Sequence, residues 1–310
     1  MEKLKPFLDD DRKPIEVLYE EYEKLISLGF EKKLIYVQKT PNSLGEVMEF
    51  PIYAFVKGEE GKDNLWIFSG VHGEEPPGPE AIAAEIEYLG ELGQIPMIII
   101  PLCNPVGRYI GWRYQDAFRD HHIGTSVSDS EHLLLKEGED LPRVEKATNA
   151  TAEAITAFVV ENSLKYPPLL SIDFHEDEAL PQSYIYSQGS RGVTDPVARE
   201  IVQIMQDSGM EIQMQGDTRF GEPVVDGVVL ATVDGSIDEL MATAKIFFKG
   251  EIISKPFAKT VIVVETPTIG ALLPKRVQAH RNIIRAIRKL WEMTGKKVDT
   301  KNHPVKSGWV

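Results

Sequence analysis

Cysteine is almost absent: Cys103 is the only one in 310 residues. A lone thiol forms no intrachain disulfide, so the core must hold the fold, and the expected compartment is the cytoplasm. Long apolar runs are lacking as well. Nothing approaches the roughly eighteen apolar residues that a membrane-spanning helix needs. The stretch from Met1 to Asp11 has neither the apolar centre nor the small-residue cleavage site of a secretory leader. Positive charge is the scarcer sign, with Lys plus Arg 34 against Asp plus Glu 48 and a formal net charge of −14. Such a surface repels phosphate backbones and anionic lipid, which argues against nucleic acid or membrane as partners. A local basic pocket remains compatible with an anionic substrate. Repeats, low-complexity tracts and linkers are also missing, so one domain over residues 1–310 is expected.

Hydrophobic residues make up 42% of the chain, enough for a sizeable core. Residues 1–44 supply an N-terminal helix and a first strand. Ile15, Leu18, Tyr19, Tyr22, Leu25 and Ile26 recur at helical spacing, and the helix ends near Gly29. Strands are predicted over Lys33–Gln38, Phe50–Val56, Asn64–Ser69, Met97–Leu102, Leu169–Phe174, Ser183–Ser187 and Val261–Val264. Helices are predicted over Pro79–Leu92, Glu145–Ser163, Pro196–Ser208 and Pro274–Met293, with a long irregular polar and aromatic stretch from Asn104 to Leu141. Strands alternating with helices predict an α/β fold of three layers, α/β/α, around a mixed, mostly parallel central sheet.

Chemistry concentrates where apolar runs stop. Leu65-Trp66-Ile67-Phe68 leads into Gly70-Val71-His72-Gly73-Glu74-Glu75-Pro76-Pro77-Gly78, a turn pinned by Gly and Pro. His72 and Glu75 there offer an imidazole nitrogen and a carboxylate oxygen to a zinc ion, at a strand end where open α/β sheets bind ligands. A third ligand is needed, and the other histidines are His121, His122, His132, His175, His280 and His303. His175 ends the apolar strand that contains Ile172-Asp173-Phe174, with Asp173 or Asp177 available to orient its second nitrogen. Glu265 ends Val261-Ile262-Val263-Val264 and suits a general base. Arg113 is the leading electrophile for a developing oxyanion, with Arg108 and Arg119 nearby.

These patches resemble the zinc carboxypeptidases and their relatives, the succinylglutamate desuccinylase/aspartoacylase group. Gly70 to Glu75 is similar to the family's His-x-x-Glu ligand turn. Asn104-Pro105-Val106-Gly107 resembles its Asn-Pro-Asp-Gly, with Val in place of Asp. Trp112-Arg113 resembles the Trp-Arg whose guanidinium polarises the scissile carbonyl, and Asp173-Phe174-His175 the strand ending in the third ligand. Gly235-Ser236-Ile237-Asp238 resembles the stretch lining the substrate side-chain pocket, and Glu265-Thr266-Pro267 the strand end with the general base. Departures are specific. The family's Asn-Arg clamp for a terminal carboxylate has no counterpart in Gly124-Thr125-Ser126-Val127-Ser128-Asp129-Ser130, and Leu230 stands where the family has Tyr. Arg108, Arg119 and Arg219 are alternative partners for an acidic group.

The resemblance implies a zinc-dependent amide hydrolase, a metalloprotease of the carboxypeptidase kind with one Zn2+ on His72, Glu75 and His175. Glu265 and Arg113 are then catalytic, and Arg108, Ser236, Ile237 and Asp238 bind substrate. A small peptide is the expected substrate. An N-acyl amino acid deacylase shares the metal centre and differs in which side of the amide carries the recognised carboxylate. A metal-binding module with a decayed active site is the alternative of another class.

Overall fold

The structure, a computed structural model, describes residues 11–42, 44–114, 129–230 and 233–297. Helix α1 (Ile15–Ser27) buries Ile15, Leu18, Tyr22 and Leu25 on the stripe their spacing predicts. Strands β1 (Glu31–Pro41) and β2 (Val47–Lys57) outrun their predicted bounds because their antiparallel register runs from Glu31 opposite Val56 to Pro41 opposite Val47. Strand β3 (Asn64–Ser69) is buried throughout. The helix predicted from Pro79 to Leu92 begins at Pro77 and divides into α2 (Pro77–Ala84) and α3 (Ile86–Glu91). The break is at Glu85, whose buried carboxylate accepts hydrogen bonds from Arg281 Nε at 2.6 Å and Arg285 Nε at 2.9 Å.

After β4 (Met97–Ile100), a short α4 (Pro105–Ile110) occupies the start of the stretch read as irregular, capped by the Asn104 side chain on the Gly107 N–H. Helix α5 (Ala150–Lys165) starts later than predicted because Asn149 caps it through the Ala152 N–H. Strand β5 (Pro168–Asp177) is buried along all ten residues. Then come β6 (Tyr184–Ser187), α6 (Pro196–Asp207), three-residue strands β7 (Gln215–Asp217), β8 (Pro223–Val225) and β9 (Val228–Leu230), α7 (Ile237–Ala242), and a separate hairpin of β10 (Lys245–Phe248) and β11 (Glu251–Ser254). The chain closes with β12 (Thr260–Pro267), α8 (Leu273–Arg285) and α9 (Ile287–Met293), the last two divided at Ala286 where one helix was predicted.

Ten strands form one mixed sheet in the order β1-β2-β4-β3-β5-β12-β6-β9-β8-β7. Its centre, β4-β3-β5-β12, is parallel, and antiparallel pairs flank it. Alternation along the central strands feeds two cores. Leu65, Ile67, Leu170, Ile172, Ile262 and Val264 pack toward α1, α2, α3, α6, α8 and α9. Trp66, Phe68 and Val261 pack toward α5 and α7. These are the three layers expected from the sequence. The parallel strands β3, β5 and β12 all end at one edge, which is where the chemistry gathers. Among the described residues no helix is long and apolar enough to cross a membrane.

Candidate metal centre

Strand β3 leaves the sheet at Gly70, whose φ of +63° turns the chain sharply, and the turn Val71–Glu75 folds back over the edge. It is clamped against the loop after β4. Gly73 N–H donates to the Arg113 carbonyl at 3.2 Å, and Asn104 N–H donates to the Gly70 carbonyl at 2.8 Å. A Cβ on Gly73 would stand 2.0 Å from the Gly107 carbonyl carbon, so only glycine permits this approach. Asn104 also donates through Nδ2 to the Arg113 carbonyl at 2.9 Å, so one side chain caps α4 and fixes the arginine's backbone.

His72, Glu75 and His175 meet at this edge, as the sequence predicts. His72 Nδ1 lies 2.8 Å from Glu75 Oε1, His175 Nδ1 lies 3.0 Å from Glu75 Oε2, and the two Nδ1 atoms are 3.1 Å apart. Glu75 Oε2 is buried without a hydrogen-bond partner. Two imidazole nitrogens aimed at each other beside an orphaned carboxylate oxygen suit a shared cation. With bonds of about 2.05 Å at the tetrahedral angle, two nitrogens on one zinc stand roughly 3.3 Å apart. The donor set therefore fits a metal ion, and ligand atoms from all three residues lie within 4.8 Å of one another. Burial and the Arg113 charge push the His72 imidazole down to about 3, leaving it neutral and free to ligate. Burial opposes the charge of Glu75, yet the two imidazoles hold it well below the usual carboxylate range.

Asp173 fills the orienting role that the sequence left open between it and Asp177. Its Oδ2 stands 3.2 Å from His175 Nε2, turning Nδ1 toward the cation site. Burial opposes a charge on His175, but Asp173 and Glu75 together raise its pKa well above the ordinary imidazole value. Asp238, at the start of α7, is buried, and burial with the Asp173 charge raises its carboxyl well above the usual range. Asp173, His175 and Asp238 form a second group able to hold a metal ion. The imidazole is shared, with Nδ1 facing Glu75 and Nε2 facing Asp173. Asp177 instead accepts from the Ala179 N–H and the Tyr184 hydroxyl, both at 2.6 Å.

Glu265 pairs in register with His175 across β5 and β12 and with Tyr184 across β6. It is partly open to the cavity, and its Oε2 has no hydrogen-bond partner. Burial pushes its carboxyl up to about 8, against the lowering charges of His175 and Arg219. These groups line a cavity of about 640 Å³ together with Arg113, Ser236, Ile237 and Asp238. Arg113 Nη1 donates to Glu74 Oε1 at 3.1 Å and Glu75 Oε1 at 3.0 Å. Ser236 caps α7 through the Glu239 N–H, and Ile237 is buried in the core beneath the cavity.

Arg108, expected to bind substrate, sits elsewhere. It is buried, it is not among the cavity residues, and its Nη2 donates to Glu80 Oε1 and the Lys13 carbonyl, each at 2.8 Å. Its place inside α4 turns it toward the α2 side. His132 contacts Thr156, and His280 is buried against Thr266. Arg119, His121, His122, His303 and Gly124–Ser128 lie outside the described residues. Of two further cavity groups, Tyr184 escaped the sequence reading as a site residue, and Arg219 was named only as one of three alternatives for an acidic group. The strand of Tyr184 was predicted, but nothing in it marks that side chain as facing the cavity, and Arg219 lies between three-residue strands too short for a periodic signal.

No protein-family model and no curated protein matches the sequence. Solved structures do match. A candidate metallopeptidase from Shewanella amazonensis SB2B superposes with a TM-score of 0.66 at 19% identity, covering 89% of this chain and 93% of its own. A metallo-carboxypeptidase from Burkholderia cenocepacia gives 0.56 at 12% identity, over 91% of this chain and 70% of that one. The fold is that of the metallocarboxypeptidases. Bovine thrombin-activatable fibrinolysis inhibitor, solved with a tick carboxypeptidase inhibitor, shares it at a TM-score of 0.54 and 15% identity, over 92% of this chain and 98% of that one. At such identities the likeness is one of fold. Within this carboxypeptidase fold, the candidate ligands His72, Glu75 and His175 stand at the edge where the parallel strands end.

Proposed function

We propose that the protein is a zinc-dependent amide hydrolase of the metallocarboxypeptidase kind, acting on a small peptide or N-acyl amino acid. His72, Glu75 and His175 hold one zinc ion, Glu265 is the general base and acid, and Arg113 faces the substrate carbonyl. The carrying observation is the meeting of two imidazole Nδ1 atoms and a carboxylate beside a cavity that is also lined by Glu265, whose Oε2 has no hydrogen-bond partner. Zinc bound there lowers the pKa of a water molecule and polarises an amide carbonyl. Glu265 would accept the proton of the attacking water as the water oxygen bonds to the carbonyl carbon. The orphaned Oε2 of Glu265 holds the proton until the carbon–nitrogen bond breaks and the amide nitrogen receives it, leaving an acid and an amine. Arg113 holds Glu75 in place through Nη1, and its charge favours the developing oxyanion. Ser236, Ile237 and Asp238 line the substrate's side of the cavity. Cytoplasmic residence completes the proposal, in keeping with one buried thiol, Cys103.

A panel of short peptides, γ-linked peptides and N-acyl amino acids, with and without 1,10-phenanthroline, tests this reading. Cleavage of at least one amide is expected, abolished by the chelator and restored by added zinc. Zinc-loaded protein inert on the whole panel, or turnover indifferent to chelation, would overturn it.

A further inference from the structure

Arg113 and Arg219 are the guanidinium groups among the described residues that line the cavity. Arg113 is engaged with Glu74 and Glu75. Arg219 is not engaged in that way. It stands between β7 and β8, with its side chain 13% exposed and its guanidinium carbon 4.8 Å from the centre of the Phe220 ring. The ring backs the planar group. Its nearest acid is Asp177, 3.4 Å from Nη1, but both Asp177 oxygens already accept short bonds, Oδ1 from the Ala179 N–H and Oδ2 from the Tyr184 hydroxyl. Glu178 lies farther off at 3.8 Å. Nε and Nη1 of Arg219 are buried and have no hydrogen-bond acceptor. The neighbouring acids therefore balance its charge without using these donors.

Leaving guanidinium N–H groups unsatisfied in a buried setting is costly, and a planar acceptor with two oxygens relieves that cost. We infer that Arg219 binds a carboxylate of the ligand, at the corner of the cavity shared by Asp177, Tyr184 and Glu265. The role first expected of Arg108 thereby falls to Arg219. A dianion such as phosphate suits this corner poorly, because Asp177, Glu222 and Glu265 line the same cavity. A single carboxylate meets the donors at half that charge. That this ligand is a substrate rests on the proposed hydrolase function; the anion site rests on its own contacts. The carboxylate belongs either to the leaving amine side, as a terminal carboxylate, or to the acyl side, as in a succinyl group.

Calorimetry on zinc-loaded Glu265→Gln protein separates these sources without turnover. One arm compares N-acetylglycyl-phenylalanine with its C-terminal amide. The other compares N-succinyl-phenylalanine amide with N-butanoyl-phenylalanine amide. In one arm the acid is expected to bind at least about tenfold tighter than its neutral partner, the order of a charge-assisted hydrogen bond. Adding Arg219→Gln should bring that ratio close to one with zinc content unchanged. Arg219→Lys keeps the charge opposite Asp177 and loses the fork, so it should retain the melting temperature and only part of the preference. No preference in either arm, or a preference untouched by both variants, would overturn the inference. An Arg219-dependent preference in a parent protein that cleaves nothing would sink the hydrolase reading and leave this site standing.

Discussion

Glu265 stands beside His175 in the β5–β12 register, and burial lifts its carboxyl from 4.5 to about 8. A cation on the neighbouring ligands lowers that value, because positive charge favours the carboxylate. The base must be ionised, so it is inactive below its pKa and active above. The acid limb of the kcat/KM profile is therefore expected between 4.5 and about 8. A flat profile across that range would contradict the assignment. Glu265→Gln should keep zinc and lower kcat by about two to four orders of magnitude, read on whichever substrate the panel yields. Full turnover in that variant would remove Glu265 from the mechanism. The gathering of His72, Glu75, His175 and Glu265 at one edge was legible in the sequence because each follows a largely apolar run, so its place is set by the strand before it. Arg108 misled because nearness in sequence to Arg113 says nothing about direction: one helical turn points it at Glu80 instead. Arg219 was named in the sequence but could not be ranked, since its standing depends on Asp177 and Tyr184, which come from other strands.

The ligand turn and the loop after β4 act as a unit because Gly73 and Gly107 touch. Gly73→Ala forces the backbone apart, since its Cβ would lie 2.0 Å from a carbonyl carbon. A loss of at least about 1–3 kcal/mol in denaturant unfolding, together with weakened zinc binding, is expected. Unchanged unfolding would mean that the two loops are not tied as described. Helix α8 supplies a second test. Burial and the Arg276 charge hold His280 at about 3 instead of 6.5. Below 6.5 the unfolded chain takes up a proton that the folded chain refuses, so stability falls as the pH drops from 6.5 toward 3. His280→Gln should flatten that limb, by up to about 1.4 kcal/mol per pH unit, in unfolding midpoints measured across the range. Equal acid sensitivity in parent and variant would exclude His280 as a contributor. The long helices and buried strands were readable from their periods. The breaks at Glu85 and Ala286 were not, because two arginines far along the chain hold the first and neither interrupts the apolar pattern.

Over the whole molecule, the alternation of strands and helices made the three-layer fold legible, and the solved neighbours share that fold at 12–19% identity. The short strands β7, β8 and β9 and the β10–β11 hairpin were not legible, being three or four residues each. A formal charge of −14 surrounds a cavity whose described guanidinium groups are Arg113 and Arg219, so binding of an anionic ligand should weaken little with salt compared with its dependence on Arg219. The proposed function depends on three side chains, two from the turn after β3 and one from the end of β5, gripping one ion. Metal content and zinc affinity of the parent, His72→Ala, Glu75→Ala, His175→Ala and Glu265→Gln proteins measure this directly. One zinc per chain is expected in the parent and in Glu265→Gln, with tight binding lost in each of the other three. A His175→Ala protein that holds zinc as tightly as the parent would contradict it.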